Sequence, residues 1–131
     1  MIDFWALLGA TLVTATPLLY AALGEVLTER AGILNLGIEG TMYAGAFVGF
    51  LTAATVGSPW LGLLAAMVAG VLAGLLMGLL TVTLGVNQHV AGIGTTLLLI
   101  GASEFTNRLL FGGGTLVQTA KFDLLFPNVP V

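Results

Sequence analysis

Four long apolar runs separated by short polar breaks organise the chain. The first, Phe4 to Leu23, is uncharged. It is long enough for one crossing of a bilayer core about 30 Å thick, at about 1.5 Å per helical residue. Pro17 lies inside it and predicts a mild kink, eased by neighbouring helices or by the hydroxyls of Thr14 and Thr16. A polar connection, GEVLTERAG from Gly24 to Gly32, carries Glu25, Glu29 and Arg30. The second run, Ile33 to about Val56, is interrupted early by NLGIEG, Asn35 to Gly40. After a Gly57-Ser58-Pro59 turn, Pro59 opens the third run, to about Gly85, because proline suits a first helical turn. Asn87-Gln88-His89 breaks the chain before the fourth run, Val90 to about Phe111, which ends at Gly112-Gly113-Gly114. The remainder, Thr115 to Val131, reads as an amphipathic or extended tail. The pattern predicts an all-α, polytopic membrane bundle of about four segments. It forms a single membrane domain, 1–131, with 115–131 as its tail and the second segment broken near residues 35–40.

Composition turns that pattern into a statement about solvent. Of the 131 residues, 58% are hydrophobic and 7% charged, and mean hydropathy is +1.11. Soluble domains carry about 25% charged residues. No Asp, Glu, Lys or Arg lies between Gly40 and Ser103, too long an uncharged stretch for a small domain to hide from water. A lipid bilayer is therefore the solvent. A soluble enzyme, a disordered chain and a nucleic-acid binder are excluded, the last because Lys and Arg together number 3. With no cysteine there is no disulfide or thiolate metal site.

The 19 glycines are about twice the usual share. Gly37, Thr41, Gly45 and Gly49 line up every four residues on the second segment. Gly62, Ala66, Gly70, Gly74 and Gly78 do so on the third. Such stripes let helix backbones approach closely in lipid, where the hydrophobic effect between helices is lost. They predict helix packing, with Gly70 and Gly74 against another helix, although the ridge could equally face another subunit.

Few polar groups need explaining. A carboxylate at the bilayer centre costs about 2.5–3.5 kcal/mol, so Glu39 should face a cavity or a partner. Gly37 and Gly40 around it weaken a helix, and with Asn35 they suggest a helix break or re-entrant stretch at membrane depth. On that reading Glu39 points into the bundle. The alternative places Glu39 solvated near the interface, with the helix starting at Gly40. Glu104 and Arg108, spaced i, i+4, predict an ion pair. His89 reads as an interfacial hydrogen-bonding residue, with no second ligand at metal-binding spacing. No nucleophile–base arrangement or phosphate loop is present, so the chain reads as neither an enzyme nor a metalloprotein.

The run ATPLLYAALGEVLTERAGILNLGIEGTMYAGAF, Ala15 to Phe47, resembles the amino-terminal signature of the membrane permeases of bacterial ABC importers. The nearest branch serves nucleosides and simple sugars, and is related to ribose-type and branched-chain amino acid permeases. Glu29 to Gly32 followed by Asn35 to Gly40 carries the resemblance most specifically. Ser58 to Gly70 and Asn87 to Gly92 add to it, and it extends over roughly Leu7 to Phe111. His89 departs from the small aliphatic residue expected there and takes no family role.

The resemblance implies a multi-pass protein of the bacterial inner membrane, forming part of the translocation pathway for nucleosides or simple sugars. Its partners would be a second permease subunit, a cytoplasmic ABC ATPase and an extracytoplasmic substrate-binding protein. ATP would sit on the separate ATPase, leaving no cofactor on this chain. Asn35, Glu39, Asn87 and Gln88 become the candidate pathway residues. Family members are considerably longer, so the chain is expected to be an amino-terminal part. Other classes remain: a small four-helix homodimeric transporter, disfavoured because its first helix would need a central carboxylate, and a non-transporting membrane subunit. With Met1 cytoplasmic and four crossings, Arg108 and Lys121 fall inside and Arg30 outside, a thin positive-inside bias.

Overall fold

The computed structural model describes residues 4–112, so the 115–131 tail and Lys121 lie outside the described residues. Among the described residues the fold is all helical. α1 spans Phe4–Arg30, α2 Ile38–Val56, α3 Pro59–Gly78 and α4 Gln88–Phe111, with a π-helical turn, Leu79–Thr83, continuing α3. Two stretches are long and apolar enough to cross a membrane: α1, and α3 with its π-helical turn.

α1 runs through the connection expected at Gly24 to Gly32. Glu25, Leu27, Glu29 and Arg30 are good helix formers, the single Gly24 is absorbed, no proline intervenes, and Arg30 in the last turn complements the helix dipole. At 27 residues α1 is about 40 Å long, more than a hydrocarbon core of about 30 Å requires. The helix stops where Gly32 takes φ 85°, a left-handed conformation that lets Ile33 N–H donate to the Thr28 carbonyl at 3.0 Å. Around Pro17, the Thr14 and Thr16 hydroxyls donate to the Ala10 and Leu12 carbonyls. Both carbonyls precede that of Val13, the one that loses its N–H donor to the proline ring.

α2, α3 and α4 form the bundle, and α1 touches only α2. The core is made of small residues: Ala44, Ala53, Ala73 and Ala91 are buried with Met77. α3 runs antiparallel to α2. A Cβ placed on Gly62 would stand 2.7 Å from the Gly49 carbonyl oxygen and 3.0 Å from the Ala53 Cβ. One placed on Gly49 would stand 3.2 Å from the Ala66 Cβ. α4 runs parallel to α2, with Leu36 against Gly92, Gly40 against Thr96, and Phe50 edge-on to Phe111 at a centroid distance of 6.1 Å.

Only part of the small-residue ridge is used within the chain. Gly45, Gly49, Gly62 and Ala66 make the α2–α3 crossing, but Gly70, Gly74 and Gly78 have open space where a Cβ would stand. The expectation that Gly70 and Gly74 pack on another helix fails for the described residues. The reason is geometric. A step of four residues overshoots a full turn by about 40°, so the line from Gly62 to Gly78 swings about 160° around the helix. The buried line leaves the glycines and continues through Ala73 and Met77.

Candidate functional site

Asn35, Asn87 and Gln88 gather where the α1–α2 linker, residues 31–37, meets the start of α4. The linker is non-helical, and α2 starts at Ile38 with Gly37 as its N-cap. The break therefore lies ahead of Gly40. Gly37 belongs to it, whereas Gly40 is a helical residue with a packing role. A Cβ on Gly40 would stand 2.5 Å from the Thr96 Cα of α4.

The linker's backbone polar groups are met by side chains. Glu25, near the end of α1, accepts the Asn35 N–H at 2.9 Å through Oε1. Gln88 accepts the Leu34 N–H at 2.8 Å and donates through Nε2 to the Gly32 carbonyl at 3.2 Å. The Asn35 side chain accepts the Gly37 N–H at 3.0 Å, a local turn that sets the start of α2. Thr96 donates to the Leu36 carbonyl at 3.3 Å. An irregular backbone at membrane depth is tolerable only when satisfied in this way or wetted. Asn87 caps α4 by accepting the His89 N–H at 3.0 Å, and α4 starts two residues earlier than the hydrophobic pattern predicted.

Three of the four candidate pathway residues thus spend a side-chain group on the fold. Glu39 differs. It sits in the first turn of α2, exposed and without a hydrogen bond or ion pair among the described residues. It does not point in among the helices of this chain, as expected, but onto their outer surface. One turn further on, Tyr43 is exposed and donates its hydroxyl to the Glu104 carboxylate of α4. The expected Glu104–Arg108 ion pair is absent among the described residues. Tyr43 supplies Glu104 with a donor across the helix contact, while exposed Arg108 lies in the last turn of α4, where its charge favours the helix dipole. Glu39, Tyr43 and Glu104 form a polar seam on the α2–α4 face. Tyr43 was not singled out in the sequence, and Glu25 was read only as part of a polar connection. The i, i+4 spacing of Glu39 and Tyr43 was a readable signal for the first, whereas Glu25 looked like part of a solvated loop.

No trio of His, Cys, Asp or Glu among the described residues could hold a metal ion.

Comparison with known proteins gives this arrangement its context. The family described as "Branched-chain amino acid transport system / permease component" matches residues 7–124. The chain belongs to that permease family. It is 43% identical over 125 residues to TsgC13 of Haloferax volcanii, provisionally named a glucose ABC transporter permease protein, covering 94% of this chain and 36% of that one. It is 40% identical over 109 residues to the guanosine ABC transporter permease protein NupQ of Bacillus subtilis, covering 79% and 34%. To the nucleoside ABC transporter permease protein NupC of Lactococcus lactis it is 33% identical over 130 residues, covering 92% and 41%. The chain spans between a third and a half of the length of these relatives. No solved structure matches it. Membership places the chain among the permease components of transport systems.

In this permease Gln88 ties the linker to α4, and its loss has a measurable consequence. Each hydrogen bond contributes about 0.5–1.5 kcal/mol net, so Gln88→Ala is expected to cost about 1–2 kcal/mol. Hydrogen exchange should register it first at the Leu34 amide, with protection falling about tenfold while the middle of α3 stays protected. Unchanged protection at Leu34 would mean that the bond does not hold the linker.

Proposed function

We propose that the chain is the amino-terminal part of the permease of an ABC importer for nucleosides or simple sugars, in the bacterial inner membrane. All four helices embed in the bilayer as a single membrane domain. The partners are a second permease subunit, a cytoplasmic ATPase that holds the ATP, and an extracytoplasmic substrate-binding protein. Family membership and the names of the guanosine, nucleoside and glucose relatives support this reading.

The observation that carries the path assignment is Glu39, an exposed carboxylate without a partner at the start of α2. Hydrocarbon is a poor neighbour for such a group, and a water-filled path is a good one. Tyr43 and Glu104 extend the polar seam along the same face. Nucleosides and sugars carry many hydroxyls, and two carboxylates supply acceptors to replace their lost water. Asn35, Asn87 and Gln88 act beside the path by shaping the linker and the start of α4. Both amide atoms of Gln88 are engaged by the linker.

The test grafts residues 7–111 into a complete relative and measures uptake. Loss of one hydrogen bond to a charged group is worth about 1.5–3 kcal/mol. Glu39→Leu is therefore expected to lower uptake at least about tenfold at normal membrane levels, and Glu39→Gln to lower it less. Full uptake with leucine at position 39 would make Glu39 an interfacial anchor and end its assignment to the path.

A further inference from the structure

Among the described residues of α1, only Ala15, Ala21, Glu25 and Thr28 are not exposed, and the last three share one face at i, i+4, i+7 spacing. The hold of α1 on the rest of the chain is therefore concentrated near its end, and there it is polar. Glu25 faces the Thr28 hydroxyl through Oε2 at 3.4 Å and the Asn35 amide through Oε1. Along the linker, successive amides go to opposite helices. Ile33 donates to the Thr28 carbonyl of α1, Leu34 to Gln88 of α4, and Asn35 to Glu25 of α1. The linker is a strap gripped from two sides. Beyond Asn35 the grip passes on, because the Asn35 side chain takes the N–H of Gly37, the N-cap of α2, two residues before Glu39. That turn has little slack. A Cβ on Gly37 would stand 3.1 Å from Asn35 Oδ1 and 3.5 Å from the Gly92 carbonyl oxygen of α4.

We propose that Glu25 is a positioning residue: by holding the Asn35 amide it fixes the start of α2, and with it the place of Glu39 against the solute path. This role rests on the assignment of Glu39 to that path. Gln88 cannot take over from Glu25, since it grips Leu34 and Gly32 from the α4 side of the strap. A charged acceptor holds an amide more strongly than a neutral one. The role itself needs only an acceptor at that point, so Glu25→Gln should largely preserve it, whereas Glu25→Leu removes it at similar size.

In the chain in detergent, Glu25→Leu is expected to lower hydrogen-exchange protection about tenfold at both the Asn35 and the Gly37 amides, and much less at Leu34. Glu25→Gln should restore both amides. A loss confined to Asn35, with Gly37 unmoved, would overturn the proposal. In a complete relative carrying residues 7–111, Glu25→Leu is expected to lower uptake about fivefold at normal membrane levels, with most of it recovered by Glu25→Gln. Where the leucine variant does not reach the membrane, Glu25→Asp, whose carboxylate ends one methylene short, carries the same expectations. Glu25→Leu combined with Glu39→Leu should transport no worse than Glu39→Leu alone, because a residue that acts through Glu39 then has nothing left to position. Losses that multiply would make Glu25 a general support of the fold and overturn the proposal, as would full uptake with Glu25→Leu. The two readings fail differently. Full uptake with Glu39→Leu ends the path assignment and the positioning role together. Uptake lost with Glu39→Leu but kept with Glu25→Leu ends the positioning role alone.

Discussion

Gly40→Ala is expected to lower the stability of the bundle in detergent by about 3 kcal/mol, at the top of the range for overpacking. The new methyl would stand 2.5 Å from the Thr96 Cα and 3.2 Å from the Thr96 carbonyl oxygen, both backbone atoms of α4. No rotamer change relieves such a contact, so α2 and α4 must separate. That separation also strains the Thr96 bond to the Leu36 carbonyl and loosens the linker where it leads into α2. Gly101→Ala on α4 is the matched control, because nothing lies within 4 Å of that position. Its expected effect is neutral or mildly stabilising, as alanine favours a helix over glycine by about 1 kcal/mol. Denaturant titration followed by helical circular dichroism checks both. Equal midpoints for the two variants would contradict the close α2–α4 approach.

The second large effect separates the used half of the α3 ridge from the open half. Gly62→Leu is expected to cost about 3 kcal/mol or to prevent α3 from docking, since even a Cβ there stands 2.7 Å from the Gly49 carbonyl oxygen. Gly74→Leu, on the same ridge, should leave the stability of this chain unchanged or raise it by up to about 1 kcal/mol, because it faces open space and leucine favours a helix over glycine. The two substitutions add the same atoms to the same helix, so propensity and hydrophobicity cancel and only position differs. Thermal unfolding in detergent of the two variants side by side is the measurement. A large loss for Gly74→Leu in the isolated chain would mean that the ridge is in use after all.

Much of the architecture was legible along the chain. α3 begins at Pro59 as its first-turn proline suggested, and α2 ends at the Gly57 turn, where φ is 72°. The break before α2 was visible in NLGIEG, but its edges were not. Gly40 looked like a breaker because glycine lowers helix propensity. Its actual task, close approach to α4, depends on a neighbour far away in sequence. Glu25 was misplaced for the opposite reason. Charge suggested a loop, yet nothing local stops α1 until Gly32, and the helical continuation is what carries Glu25 to the Asn35 amide. Asn35, Asn87 and Gln88 were visible as polar residues at breaks, but polarity alone cannot say whether an amide serves the fold or a solute.

The sequence by itself determined the bilayer as solvent, the helical class, the helix limits at Val56, Pro59 and Phe111, and the family signature. Each depends on composition or on spacing along a single helix, which apolar periodicity, proline and glycine encode locally. Only the tertiary structure decided which glycines are contacts, that Tyr43 rather than Arg108 serves Glu104, and that Glu39 alone of the four candidate pathway residues remains unbonded. Those outcomes depend on the rotation of each helix about its axis and on which backbone groups of a neighbour lie within about 3 Å. A stripe that advances about 40° per step cannot reveal where along its length the neighbour meets it.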